Sequence, residues 1–303
     1  MGSPGIFGAS ALLGAVGAAL YLAVLTGSPG SLILVYLAQL PLFGAGLWLG
    51  VSAAAVAGFT ATLILLAAGG FVAAALFAGL YAAPVILLVR LALLARRGPN
   101  GGVEWYSPGL LTAWLTGLGL AAFAAVVLLL GGREGIAALL RETLTPVLDR
   151  FVNETAAGRD TLIDGLAWII PGVIAASWMV MTASTAMLAQ GVLARFGLAW
   201  RPSPDLAELT LPIWVPLLFG ISAAAAAVGG AARFWGVNLL IVLSIPFCFA
   251  GLAVLHMAVR RMPRPQIPLV TFYILAGLFG WPLLVIAVLG LLDALFGLRR
   301  RLA

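Results

Sequence analysis

Apolar residues run almost without a break from Ala11 to Phe296, and the few charged residues fall in short gaps between the runs. Each run is about 20 residues long, the length at which an α-helix matches the hydrocarbon thickness of a bilayer. The pattern predicts an all-α integral membrane protein, a single polytopic domain over residues 1–303. Gly, Pro and Arg mark the ends of the spans. The first covers about Phe7–Thr26 and closes at Gly27-Ser28-Pro29-Gly30; the second covers Ser31–Leu49, with Pro41 expected to kink it. Val51–Ala68 and Phe71–Ala95 are the third and fourth, and the stretch Arg96-Arg97-Gly98-Pro99-Asn100-Gly101-Gly102 reads as a loop. Pro108–Leu130, Leu162–Leu193, Leu209–Val228 and Phe234–Val259 follow. Ser203-Pro204-Asp205 reads as a helix start ahead of the seventh span, with Ser as N-cap, Pro at the first position and Asp at the positive dipole end.

The longest polar stretch, Gly131–Asp160, is patterned. Ile136, Leu140, Leu144, Val147 and Phe151 recur at helical spacing, while Arg141, Glu142, Thr145, Asp149 and Asn153 take the other face. This predicts an amphipathic helix over about 132–157 lying at the membrane interface. Two roles fit it, a lid or partner-docking helix and a plain surface connector.

The last run, Ile267–Phe296, is long for one span and short for two, with Gly280-Trp281-Pro282 in its middle. Charge decides between them. With Arg96 and Arg97 in the cytoplasm and the sides alternating, eleven of the sixteen arginines share that face: Arg90, Arg96, Arg97, Arg195, Arg201, Arg260, Arg261, Arg264, Arg299, Arg300 and Arg301. The other face holds Arg133, Arg141, Arg150, Arg159 and Arg233. Arginine gathers in cytoplasmic loops, so both termini are expected inside. Arg264 and Arg299 share a side only if the last run crosses twice or re-enters. The expected architecture is therefore a helical bundle of about eight spans closed by a C-terminal hairpin broken near Gly280–Pro282.

Composition sharpens this. The chain is 63% apolar and 9% charged, where soluble domains carry about a quarter charged residues; the mean hydropathy is +1.17. All 16 basic residues are arginine, which removes lysine-dependent chemistry such as a Walker A phosphate loop, a Schiff base or a lysine general base. The basic balance fits cytoplasmic loops better than nucleic-acid binding. Cys248 is the only cysteine, so no internal disulfide is available, and in an apolar run it reads as a small packing residue. The sequence holds no His/Cys/Asp/Glu cluster at metal-ligand spacing, no serine elbow with a partner histidine, and no paired carboxylates deep in a span. No cofactor, no metal and no catalytic residue is expected, and the chain reads as a non-enzyme. Met1 to Gly5 lacks the positive region of a cleavable signal, and Ile6 stands where a myristoylation signal wants Ser or Thr. The first helix is therefore expected to be retained. Asn153-Glu154-Thr155 fits a glycosylation sequon, which matters only in a eukaryotic secretory route.

An ionisable residue within hydrocarbon is a functional hypothesis by default. Arg90 has two readings, contact with an anionic substrate and snorkelling to the cytoplasmic headgroups. His256, the only histidine, reads as a proton relay or as a structural hydrogen bonder. Asp293 needs a partner at its depth, for which Arg260, Arg261 and Arg299 are candidates, and an ion pair fixing the terminal hairpin, Asp293 with Arg299, is the plain reading. Pro171-Gly172 in the sixth span, Pro212-Ile213-Trp214-Val215-Pro216 in the seventh, and Asn238 with Pro246 in the eighth mark interrupted, partly polar helices. Such breaks free backbone groups at transporter sites, and they are also common in membrane helices generally. On the first reading Asp164, Trp168, Ser177, Asn238 and His256 are the candidate lining of a polar ligand pocket, with Thr182, Ser184, Thr185 and Gln190 farther along the sixth span. Among the small-residue pairs, Gly14/Ala18, Ala53/Ala57 and Ala54/Gly58 have the spacing that allows close helix contact.

Three stretches together resemble a known family: Leu40-Pro41-Leu42-Phe43-Gly44-Ala45-Gly46-Leu47-Trp48-Leu49-Gly50, then Asn238 to His256 with Gly251-Leu252-Ala253-Val254-Leu255-His256, then Leu289-Gly290-Leu291-Leu292-Asp293 with Arg299-Arg300. They are similar to the YybS-like family of bacterial inner-membrane proteins, whose function is unknown. The resemblance covers nearly the whole chain. It implies a bacterial cytoplasmic (inner) membrane location. It also implies distant kinship with the substrate-binding S components of energy-coupling-factor transporters, which have six spans, fewer than counted here. On that footing the chain is expected to be a transporter-like small-molecule-binding subunit that relies on separate energising subunits. The alternative, from another class, is a non-transporting membrane scaffold or assembly factor for envelope proteins that docks partners through the interfacial helix. In either case the lipid bilayer is the first partner.

Overall fold

The computed structural model describes residues 3–28, 30–98, 101–151, 156–205, 208–260 and 262–299. The sequon Asn153-Glu154-Thr155, the Pro99-Asn100 step, the Met1-Gly2 start, Arg261, Arg300 and Arg301 lie outside them. In chain order, α1 (Ser3–Leu22) ends in a 3-10 turn, Ala23–Thr26. α2 (Ser31–Leu37) and α3 (Leu40–Leu49) divide one apolar run. α4 (Val51–Phe77) continues through a π-helical turn, Ala78–Ala82, into α5 (Ala83–Ala92). β1 (Ala95–Arg97) and β2 (Val103–Trp105) pair antiparallel with Arg96 opposite Glu104. Then come α6 (Pro108–Leu129), α7 (Gly132–Phe151), α8 (Ala156–Ala167), α9 (Ile170–Arg195), α10 (Trp214–Ala227), α11 (Gly230–Val259), α12 (Gln266–Phe279) and α13 (Trp281–Phe296). Among the described residues, six helical stretches are long and apolar enough to cross a membrane. A seventh is counted if α12 and α13, bent by 119° to each other, are one span. The chain is thus built as a helical, multi-pass membrane protein.

Several breaks have visible causes. Gly70 sits inside α4 at φ 79°, ψ 179°, a backbone open to glycine and strained for other residues. A Cβ on Gly58 would lie 3.0 Å from the Cβ of Ala82, although unbroken helix would separate residues 58 and 82 by about 36 Å. The chain therefore doubles back at Gly70. Gly280, at φ 68°, ψ −39°, breaks the last run where Gly280-Trp281-Pro282 predicts it. Pro41 stands in the first turn of α3, so the second run parts at Ala38-Gln39.

Other expectations are corrected. The stretch read as a loop at residues 96–102 begins inside β1 and leads to β2, the two strands being fastened by an Arg96 Nε to Glu104 Oε2 ion pair at 2.8 Å. The helix expected from Leu209 starts later: residues 209–212 are non-helical and α10 begins only at Trp214, while ahead of them the Glu208 N–H closes a 3-10 turn on the Asp205 carbonyl at 3.1 Å. Pro212 lacks the N–H a helix needs there and disfavours helix at Leu211. The amphipathic helix expected over 132–157 is α7, ending at Phe151, and α8 packs beside it. The span expected from Leu162 starts at Ile170, because residues 162–167 belong to α8.

The residues fall into two compact units. Unit 1 holds Met1–Leu115 and Val180–Glu208; unit 2 holds Thr116–Met179 and Leu209–Ala303. Small residues set the helix spacing in unit 1. A Cβ on Gly14 of α1 would collide with the Ala57 carbonyl oxygen of α4, and one on Gly46 of α3 would lie 2.7 Å from Val89 Cγ1 of α5. Ala18, Ala54, Ala57 and Ala61 are fully buried in this unit. Backbones this close gain dispersion contacts that lipid cannot replace.

In unit 2, α11 is flanked by α10 and α13. Gly251 and Gly290 face each other across α11 and α13, and a Cβ on either would overlap a carbonyl oxygen, of Ile286 and of Phe247 respectively. Val215, Leu243 and Phe247 form the packed centre, ringed by Leu120, Phe219 and Leu291. Asp293 is 4% exposed and Arg299 9%. Arg299 donates from its backbone N–H to Asp293 Oδ1 (2.9 Å), from Nε to Oδ2 (2.7 Å), and from Nη2 to the Leu209 carbonyl. That last bond satisfies backbone in the non-helical lead-in to α10.

Candidate functional site

The strongest polar feature of unit 1 begins with a proline. In an α-helix the N–H of residue 84 would donate to the carbonyl of residue 80. Pro84 has no N–H, and the helix widens into the π turn Ala78–Ala82 just before it. The Gln39 side chain, fully buried, donates from Nε2 to the Leu80 carbonyl at 3.2 Å. One half of its carboxamide is thereby used. The other half, Oε1, accepts from Thr185 Oγ1 at 3.4 Å, a long bond. The Thr185 hydroxyl lies nearer two carbonyls of its own helix, Met181 at 2.9 Å and Thr182 at 3.1 Å. The Thr182 hydroxyl is fully buried and has no hydrogen-bond partner among the described residues. Buried polar atoms without partners are rare enough to need an explanation. Phe77 and Tyr81 stack at the π turn and Tyr21 meets both edge-on, with ring centroids 5.1–5.3 Å apart.

Position along the helices matters as much as chemistry. Gln39 lies near the middle of the Ser31–Leu49 stretch, Leu80 near the middle of the leg that follows Gly70, and Thr182 and Thr185 near the middle of α9. An irregular backbone with polar side chains at mid-span is how transporters build solute and ion sites. The donor set is oxygen-rich and uncharged. It suits a neutral polar solute or a weakly bound cation more than an anion.

Asn238 in unit 2 behaves differently. It is fully buried, and its Oδ1 accepts from the Gly172 N–H at 2.7 Å while Nδ2 donates to the Trp168 carbonyl at 2.8 Å and the Phe234 carbonyl at 2.8 Å. Gly172 N–H and Trp168 C=O are an i to i−4 pair. The amide of Asn238 is inserted between them, which parts α8 from α9. A Cβ on Gly172 would lie 2.8 Å from Asn238 Oδ1, so the close approach needs glycine there. Both halves of the Asn238 amide are committed to backbone.

The remaining candidates are dispersed. Asp164 receives Arg141 Nη2 at 2.6 Å on the half-exposed face between α7 and α8, with Asp160 3.7 Å from Arg141 Nε. Ser177 is half-buried about one and a half turns beyond Gly172. His256 is 18 positions beyond Asn238 on α11, about 27 Å along a helix. Its Nδ1 contacts the Leu252 carbonyl at 2.8 Å, which makes Nδ1 the protonated nitrogen, and its ring centroid is 6.2 Å from that of Tyr273. The structure therefore joins Trp168 with Asn238 and leaves His256 apart; the five residues expected to line one pocket are not one site. Arg90 is exposed in the last turn of α5, as a snorkelling arginine would be.

Sequence reasoning missed two residues. Gln39 carried a signal, a lone amide inside an apolar run two residues before Pro41. Arg201 carried none. It is 5% exposed and donates to the Ala92 carbonyl at 3.0 Å and the Tyr106 carbonyl at 2.8 Å, while its own carbonyl accepts from Gln190 Nε2 at 2.7 Å. It thus fastens the C-terminus of α5 to the end of the β-ribbon. Burial lowers the pKa of its guanidinium, and Glu208 opposes that shift. A shallow cleft of about 160 Å³ lies elsewhere in unit 1, lined by Ile6, Phe7, Ser10, Leu49, Ser52, Ala53 and Val56. It is mostly apolar and holds no titratable group.

No family model, curated protein or solved structure matches the chain.

Proposed function

We propose that the chain is a small-molecule-binding membrane subunit of the bacterial cytoplasmic membrane, a non-enzyme that handles a small polar solute at the mid-span cluster of Gln39, Thr182, Thr185 and the Leu80 carbonyl. The observation that carries this reading is the uncommitted polarity of that cluster: an amide oxygen held by one long bond and a buried hydroxyl held by none. Polar groups left open in hydrocarbon are costly, so their retention favours a ligand. The resemblance to the YybS-like family supports the same class, with energy coming from separate subunits.

The span count in this proposal is eight plus a closing hairpin, with both termini in the cytoplasm. The reversal at Gly70 splits the Val51–Ala92 stretch into two crossings. α10, with 14 residues, is about 21 Å long. The non-helical lead-in, whose Leu209 is buried with its carbonyl held by Arg299, supplies the missing depth. α12 and α13, of 14 and 16 residues, form the short re-entering pair that keeps Arg264 and Arg299 on one side.

Purification in mild detergent followed by mass spectrometry of bound small molecules tests the reading. A solute retained by the native chain and lost from Gln39→Leu and Thr182→Val, with both variants folded, is the expected result. A second reading, a scaffold for envelope proteins, is favoured by the complete commitment of Asn238 and by the charged α7–α8 hairpin. It predicts no bound solute and protein partners that are lost when Leu139, exposed on α7, is changed to Glu.

A further inference from the structure

Two arginines converge on one indole at the end of unit 2 where α7, α9 and α11 begin. The Arg133 guanidinium carbon lies 5.1 Å from the Trp168 ring centroid, and that of Arg233 lies 6.0 Å from the same centroid. Each is a cation–π distance. Bringing two like charges to one ring is unfavourable, and their helices make it worse. Arg133 is in the first turn of α7 and Arg233 in the first turn of α11, the positive ends of the helix dipoles, where a cation is repelled.

The surrounding acids do not relieve this. Neither arginine forms an ion pair with a described residue. Asp160 and Asp164 are engaged by Arg141, and Glu134, exposed in the first turn of α7, is within ion-pair distance of neither. The platform itself is rigid. Asn238 holds the Trp168 carbonyl, and Phe234 meets the Trp168 ring edge-on at 6.1 Å. Arg133 is half-buried and Arg233 exposed, so the cations are reachable from outside the bundle.

We propose that Arg133, Arg233 and Trp168 form a binding site for a phosphate-bearing anion at the membrane interface, occupied by the headgroup of an anionic phospholipid. Guanidinium forks match phosphate oxygens bidentately. The two helix N-termini add donors and positive potential. Tryptophan sits by preference at headgroup depth, which favours a lipid over a free ion as the source of the phosphate. The inference stands apart from the solute-binding reading, since no residue of the mid-span cluster takes part.

Native mass spectrometry of the full chain in detergent, titrated with dioleoyl-phosphatidylglycerol and with dioleoyl-phosphatidylcholine, tests the proposal. The native chain should retain the glycerol lipid over the choline lipid. The double variant Arg133→Gln/Arg233→Gln should lose that preference by about tenfold. Arg233→Gln alone, at an exposed position, keeps the test valid if the double variant unfolds, and should lose a smaller share. Equal retention of phosphatidylglycerol by folded variant and native chain overturns the proposal. Competition with inorganic phosphate separates the sources: insensitivity supports the lipid headgroup, and full displacement overturns it in favour of the free ion.

Discussion

Gln39 in unit 1 and Asn238 in unit 2 meet the same problem, a membrane helix whose hydrogen-bond ladder is broken, and they end in different states. At Asn238 the break leaves one N–H and one C=O, from Gly172 and Trp168, and a carboxamide supplies a partner to each. Nothing is left over. At Gln39 the break is made by a proline, which has no N–H to bring, so the amide meets only a carbonyl, that of Leu80. A carboxamide placed there has an oxygen to spare. The difference teaches that a buried amide in a membrane helix is not by itself a sign of function. What counts is whether the break it mends offers as many groups as the amide brings.

This comparison can be broken experimentally. The largest effect is expected for Asn238→Leu, which strands the Gly172 N–H and the Trp168 carbonyl. Stability should fall by about 3 kcal/mol or more, read as a lowered thermal midpoint in a fixed detergent. A loss below about 1 kcal/mol would mean that α8 and α9 rejoin without the amide. Gln39→Leu removes one side-chain hydrogen bond to the Leu80 carbonyl and should cost about 1 kcal/mol while abolishing solute retention. Thr182→Val should be smallest in stability, within about 0.5 kcal/mol of the native chain, because the hydroxyl it removes has no partner to lose. It should still reduce solute retention. A large destabilisation by Thr182→Val would show that this hydroxyl is engaged, and the contrast between the two amides would shrink.

The parts legible in the sequence were those that depend on local chemistry. Apolar runs marked the spans, Gly280-Trp281-Pro282 marked the last break, and the Gly14 and Ala57 spacings marked surfaces that meet between α1 and α4. Thr182 and Thr185 were visible as polar positions within a span. The parts that stayed hidden depend on which residues meet across the chain. Gln39 finds its partner 41 positions away and Arg201 finds one 109 away, distances over which periodicity carries no signal. Pro171-Gly172 marked the interruption between α8 and α9, but the side chain that fills it comes from α11, 66 positions beyond Gly172. Pro212 delays the start of α10 to Trp214, beyond the Leu209 at which the apolar run begins.

The clasp between Asp293, Arg299 and the Leu209 carbonyl has a practical consequence for anyone handling this protein. Trimming the chain ahead of position 299, to remove a basic tail or to attach a reporter, would strand a carboxylate inside the helices and free the lead-in to α10 at the same stroke. Fusions and purification tags belong beyond that arginine, and a preparation clipped before it should be treated as a damaged protein.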